Sequence, residues 1–177
     1  MIEVFYADCP ESDEHRYGHA LAKYAIAKIF GKAARLVLTP HKKPSVTLPG
    51  AYISISHSRG VCVVALSDSE IGVDIELSER DTGRIKKIVA RFFSRDEAKY
   101  VMEDPERRFY EIWSKKEAYV KYTGEGFTRS FSGFSVFMLD EHFSSFEFYG
   151  HYGWICSNES AEIRPEFVNN AEISEYL

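Results

Sequence analysis

The stretch Ile71-Gly72-Val73-Asp74-Ile75-Glu76-Leu77-Ser78-Glu79-Arg80 decides how this chain folds. Ile71, Val73, Ile75 and Leu77 alternate with other residues, which is the period of a strand. Asp74 and Glu76 stand two apart, so both carboxylates leave that strand on one face. Considered alone, such a pair reads as the wet face of a half-buried strand. The alternative is a divalent-cation site, because hard cations such as Mg²⁺ take carboxylate oxygens.

Upstream, AYISISHS (51–58) and VCVVALSD (61–68) read as two further strands and Met1–Tyr6 as a first one. From about Ser12 to Phe30 the pattern is helical, with Leu21, Ala25 and Ile29 four apart and Ser12 or Asp13 as cap. After a break at Gly31, Arg35–Leu38 reads as a short strand, and TPHKKPSVTLPGA (39–51), with its three prolines, as a loop. Downstream, helices are expected over Arg84–Phe93, Ser94–Met102 and Arg107–Tyr122. Ser130–Leu139 and Ser144–His151 read as hairpin strands and Tyr152–Ser157 as another. Helix plus strands therefore occur on both sides of the opening stretch.

The 177 residues are 45% hydrophobic and 15% aromatic, the composition of a folded globular chain. The net charge is −5 and no basic block stands out, which argues against nucleic acid as a partner. Cys9, Cys62 and Cys156 are odd in number and far apart, offering neither a disulfide framework nor a zinc site. Acids occupy the N-terminal region where a signal peptide needs a basic and then apolar run, and no apolar stretch approaches a membrane span. A soluble cytoplasmic protein is expected.

In FYEIWSKKEAYVKY (109–122), Phe109, Trp113, Glu117 and Val120 share one helical face, with Glu111 and Lys115 on the polar side. Glu117 thus interrupts an aromatic stripe and needs a partner. Lys121, one turn on, is one candidate; a metal ion shared with Asp74 and Glu76 is the other. In SISHS (54–58), His57 is either a polar turn residue or, with Ser56, a donor to phosphate or ribose. Lys42 and Lys43 read as solvated lysines unless the fold brings them to His57 as an anion pocket.

In this order and spacing, KP (43–44), SH (56–57), GVDIE (72–76) and WSKKEAYVK (113–121) resemble the signature of the 4′-phosphopantetheinyl transferases, in their longer form. RFFSRDE (91–97), GEGF (124–127) and FSGFSV (131–136) extend the resemblance over Lys43 to Val136, and HRYGHALAK (15–23) carries it faintly to the start. The resemblance implies an α+β fold of two similar halves in a pseudo-twofold arrangement, residues 1–70 contacting coenzyme A and residues 71–177 holding the metal site and carrier docking. It implies transfer of the phosphopantetheine arm of coenzyme A to a serine of an apo acyl or peptidyl carrier protein, by a Mg²⁺-dependent monomer. Asp74, Glu76 and Glu117 would hold the metal. Glu117 would act as general base and Lys121 would stabilise the leaving group. Arg16, Lys43, Ser56, His57 and Lys121 would contact coenzyme A, Arg16 and His57 near the 3′-phosphate, and Lys116 would be a helper or a surface residue. A catalytically reduced carrier- or nucleotide-binding module of the same fold is the alternative. Two departures stand out: ISIS precedes His57 where the family often has an aromatic and an asparagine, and the N-terminal half is short.

Overall fold

The structure, a computed structural model, describes residues 1–39, 43–77, 82–125 and 130–177. Lys42 of the expected lysine pair lies outside the described residues, as do Gly126 and Phe127 of GEGF and the end of the opening stretch. A first sheet is built from β1 (Ile2–Asp8), β4 (Tyr52–Ser58) and β5 (Val61–Ser67), with helix α1 (Glu14–Phe30) between β1 and the rest in sequence. Its order is β4-β5-β1, closed on the far edge by β9 (Glu166–Phe167) running parallel to β1. A second sheet has the order β6-β8-β7, from β6 (Ile71–Leu77), β7 (His142–Phe148) and β8 (His151–Ser157).

Side-chain alternation assigns the layers. Every residue of β5 is buried, which explains the unbroken apolar run VCVVALS. Cys62, Val64 and Leu66 join Phe5 and Ala7 in a core under Ala22, Ala25 and Ile26 of α1. Val61, Val63 and Ala65 point the other way, with Val4 and Tyr6, onto Ile71, Val73, Ile75 and Ile155 of the second sheet. The far face of that sheet is covered by α4 (Pro105–Thr123), flanked by α2 (Thr82–Phe92) and α3 (Arg95–Glu103). The layers therefore run α1, first sheet, second sheet, α4. This is the α+β architecture expected, with one long helix backing each sheet.

Edge strands β4 and β6 lie side by side, but backbone amides do not pair with backbone carbonyls across them. Val73, Ile75 and Leu77 instead donate their N–H groups to the hydroxyls of Ser54, Ser56 and Ser58, at 3.0, 3.4 and 3.4 Å. The alternate serines of ISISHS thus form a seam of side chains between the two sheets. His151 Nε2 adds a contact to the Ser58 carbonyl at 2.9 Å.

Four local expectations are corrected. Ser130–Leu139 is not a strand: it forms two 3₁₀ turns, Phe131–Gly133 and Val136–Met138. The carbonyls of Phe131 and Phe134 turn inward to accept from Lys116 Nζ, each at 2.7 Å, where a ladder would have used them otherwise. Lys116 itself is fully buried and pairs with the equally buried Glu97 at 2.9 Å, so the surface reading of this lysine fails. The supposed polar side of α4 is also half-covered, since Glu111 and Lys115 pair at 2.7 Å with the ammonium 4.0 Å from the Trp154 ring centroid. The proline-rich loop contains a strand, β3 (Pro44–Val46), which pairs with β2 (Leu36–Leu38).

The C-terminal segment returns to the first sheet. Val168 N–H donates to the Tyr6 carbonyl at 2.8 Å, and Val168 and Ile173 enter the core beneath α1. The short helix α5 (Asn170–Ile173) is capped by Asn169 and held to α1 by a Tyr24–Glu172 hydrogen bond of 2.9 Å. Neither element is expected from the sequence pattern. All three cysteines are free thiols, Cys62 and Cys156 buried.

Candidate active site

The site begins with Gly72. A Cβ there would stand 1.9 Å from the Ala118 carbonyl oxygen and 2.5 Å from the Tyr122 nitrogen, so α4 lies directly on the strand backbone. Ala118 and Tyr122 each follow a charged residue of the motif, Glu117 and Lys121. Close approach at Gly72 therefore carries both to the face of β6 from which Asp74 and Glu76 emerge. That face is covered by the helix and is not a wet one: Asp74 is 5% exposed.

Lys121 does not pair with Glu117 along the helix. Its ammonium reaches across to Asp74 Oδ1 at 2.8 Å and to Ser56 Oγ at 2.9 Å. The Ser56 hydroxyl in turn donates to Asp74 Oδ1 at 2.8 Å, joining β4, β6 and α4 at one carboxylate. Asp74 Oδ2 is buried with no hydrogen-bond partner. Glu76 accepts from the Trp113 indole N–H at 3.1 Å and from Ser58 at 3.3 Å. Trp113 is fixed by rings, stacked on Phe109 and Phe93 at 6.0 and 6.4 Å between centroids.

The electrostatics are those of crowded acids. Burial, then the neighbouring Asp74 charge and a lesser push from Glu117, raise the Glu76 carboxyl to about 7 against two opposing hydrogen bonds. Burial and the Asp74 charge raise Glu117 likewise to about 7, with Lys121 pulling the other way. Among the described residues no three His, Cys, Asp or Glu side chains stand close enough as placed to hold a metal ion. The donor set nonetheless suits a hard divalent cation: all oxygen, one buried atom unpartnered, and two carboxyls raised by burial and by the Asp74 charge.

The remaining predicted residues lie around this centre. Lys43 sits at the C-terminal end of α4, donating to the Tyr122 carbonyl at 2.9 Å and to Glu70 at 2.8 Å. His57 follows Ser56 on β4 but turns to α1, its Nδ1 2.9 Å from Glu14 Oε2. Arg16, on the same helix and 59% exposed, has its ion pair with Asp13 at 3.9 Å rather than with any residue of the centre. Asp74, Ser56 and Lys121 are thus in direct contact. Glu76 and Glu117 are coupled to them electrostatically, and Lys43, His57 and Arg16 stand outside that contact set.

Sequence reasoning missed Gly72 as the packing point, the Trp113 indole as a hydrogen-bond donor, and Glu14. The glycine carried a signal, since it interrupts an apolar strand where a side chain would otherwise be expected. Glu14 carried none.

A family model described as the 4′-phosphopantetheinyl transferase superfamily matches residues 70–168. A Bacillus subtilis 4′-phosphopantetheinyl transferase is 33% identical over 77% of this chain and 64% of its own length. The Bacillus pumilus 4′-phosphopantetheinyl transferase psf-1 is 34% identical over 56% of this chain and 43% of its own length. A third relative, the Bacillus subtilis 4′-phosphopantetheinyl transferase ffp, is 30% identical over 89% of this chain and 73% of its own. The chain thus spans less than two thirds of the first two relatives. The matched region takes in β6, α2, α3, α4, β7, β8 and β9.

Proposed function

This chain belongs to the 4′-phosphopantetheinyl transferase superfamily, and from that membership we propose that it moves the phosphopantetheine arm of coenzyme A onto a carrier-protein serine. The serine oxygen attacks the phosphorus that bears the pantetheine, a P–O bond of the pyrophosphate breaks, and adenosine 3′,5′-bisphosphate leaves. The observation that carries this reading is the meeting of Asp74, Ser56 and Lys121 beside two carboxyls that burial and mutual charge hold near neutrality.

Asp74, Glu76 and Glu117 hold Mg²⁺ in this proposal, and the ion, when bound, neutralises charge on the pyrophosphate. Glu117 accepts the proton of the attacking serine. Lys121 stabilises the developing charge on the departing bisphosphate. Trp113 and Ser58 fix the orientation of Glu76. Arg16, Lys43, Ser56 and His57 contact coenzyme A, and the division near residue 70 separates that grip from the metal-bearing half. Carrier proteins are generally acidic, and Arg84, Lys87 and Arg91 of α2 offer them a basic face whose opposite side, Ile85 and Val89, is buried. A cytoplasmic monomer completes the proposal. It is supported by three free thiols and by a seam formed within one chain.

The test is mass spectrometry of several apo carriers incubated with coenzyme A, Mg²⁺ and this protein. A mass gain of one phosphopantetheine on a carrier is expected, and its loss in Glu117→Gln and Asp74→Ala. No gain on any carrier would sink the reading.

A further inference from the structure

Glu14 opens α1 with both carboxylate oxygens engaged. Oε2 lies 2.9 Å from His57 Nδ1, and Oε1 accepts from the Gly60 N–H at 2.7 Å. The Glu14 side chain is 17% exposed against 42% for His57, so the acid stands behind the ring and the ring faces outward. Gly60 and Arg59 form the two-residue turn between β4 and β5, with φ of 82° and 48°. Two such left-handed residues are the mark of a tight hairpin turn, and a fixed acceptor for the turn amide holds it in place. One carboxylate thus ties the helix N-terminus to the turn and to the imidazole.

The chemistry of the contact sets the ring. An ionised carboxylate only accepts hydrogen bonds, so Nδ1 of His57 must carry the hydrogen. Nε2 is then the atom left for a ligand. To donate to a phosphate oxygen from Nε2 the ring must hold its second proton, and that imidazolium would lie between the Glu14 carboxylate and the phosphate. We propose that Glu14 is a positioning residue for His57, setting its tautomer and orientation so that Nε2 presents a charge-assisted donor to a phosphate monoester. This inference rests on the reading of His57 as a contact of the coenzyme A 3′-phosphate.

Glu14→Gln is the decisive variant. The Gly60 N–H still requires an acceptor, so the carboxamide oxygen stays there and its NH₂ group turns to His57. A donor at Nδ1 reverses the demand and moves the ring hydrogen to Nε2. Long-range ¹H–¹⁵N spectra of the full chain should show the Nδ1–H form in the wild type and the Nε2–H form in Glu14→Gln. An Nε2–H wild-type ring, or a ring unchanged by the substitution, overturns the proposal without reference to any ligand. Calorimetric Kd values for coenzyme A and 3′-dephospho-coenzyme A supply the second arm. Glu14→Gln and His57→Ala should each weaken coenzyme A about tenfold, the scale of one charge-assisted hydrogen bond. The double variant should lose little more, and 3′-dephospho-coenzyme A should be far less affected. Weakening in His57→Ala without weakening in Glu14→Gln removes the positioning role. A tautomer switch with coenzyme A binding intact in both variants removes instead the reading of His57 on which the proposal stands.

Discussion

Glu76 and Glu117 are carboxyls whose surroundings oppose their charge, and this has a pH signature. Both are raised from 4.5 to about 7, so between those values the folded chain holds protons that the unfolded chain releases. Their stabilising contribution is full below about pH 4.5 and is lost as pH rises through 7. The loss is a few kcal/mol in all, since each tenfold change in proton affinity is worth about 1.4 kcal/mol. Chemical denaturation without divalent ions, from pH 5 to 8, should show that decline, and Glu76→Gln should flatten it. Added Mg²⁺ should restore more stability at pH 8 than at pH 5. A flat profile would mean that the acids are solvated. Lys116 gives a second prediction at this scale: Lys116→Ala strands Glu97 as a buried charge and should cost about 3–5 kcal/mol in denaturant unfolding. Spacing put Asp74 and Glu76 on one strand face and Glu117 within an aromatic stripe, but only the resemblance to the family joined these acids and Lys121 into one site. The partners of Lys116 were not, because two are backbone carbonyls that no residue type announces.

Among the elements, the contact of α4 with β6 is the one on which the site depends. Gly72→Ala places a methyl group into helix backbone, where no side chain can move aside, and roughly 3 kcal/mol or more of destabilisation is expected. The accompanying loss of activity should exceed that of a distant substitution with an equal fall in stability, because the helix shift separates Lys121 from Asp74. Comparing the two variants at matched stability checks this. The strands β4, β5, β6 and β8 and all four longer helices were readable, each being long enough for a period or, in β5, for an unbroken apolar run. The failures have two causes. Ser130–Leu139 alternates like a strand, yet its carbonyls are taken by a buried ammonium. β3, β9 and α5 are only two to four residues long, too short for a period to register.

The molecule as a whole places the basic face of α2 soon after β6 in sequence. Charge reversal at Arg84, Lys87 and Arg91 should raise KM for an acidic apo carrier several-fold and flatten its dependence on salt, with kcat less affected. An unchanged apparent affinity would remove α2 from carrier recognition. The four layers were foreseeable in outline, but the way the sheets join was not: nothing in ISISHS says that its hydroxyls will stand in for peptide groups. Hydroxyl partners can be given up without dismantling either sheet, because the β6–β8 and β4–β5 ladders do not pass through them. The amides of Val73, Ile75 and Leu77 are therefore expected to exchange with deuterium together, ahead of the interior of β5. Such a joint lets this edge breathe by loosening three serines rather than by unfolding a strand, while the apolar layer between the sheets stays closed.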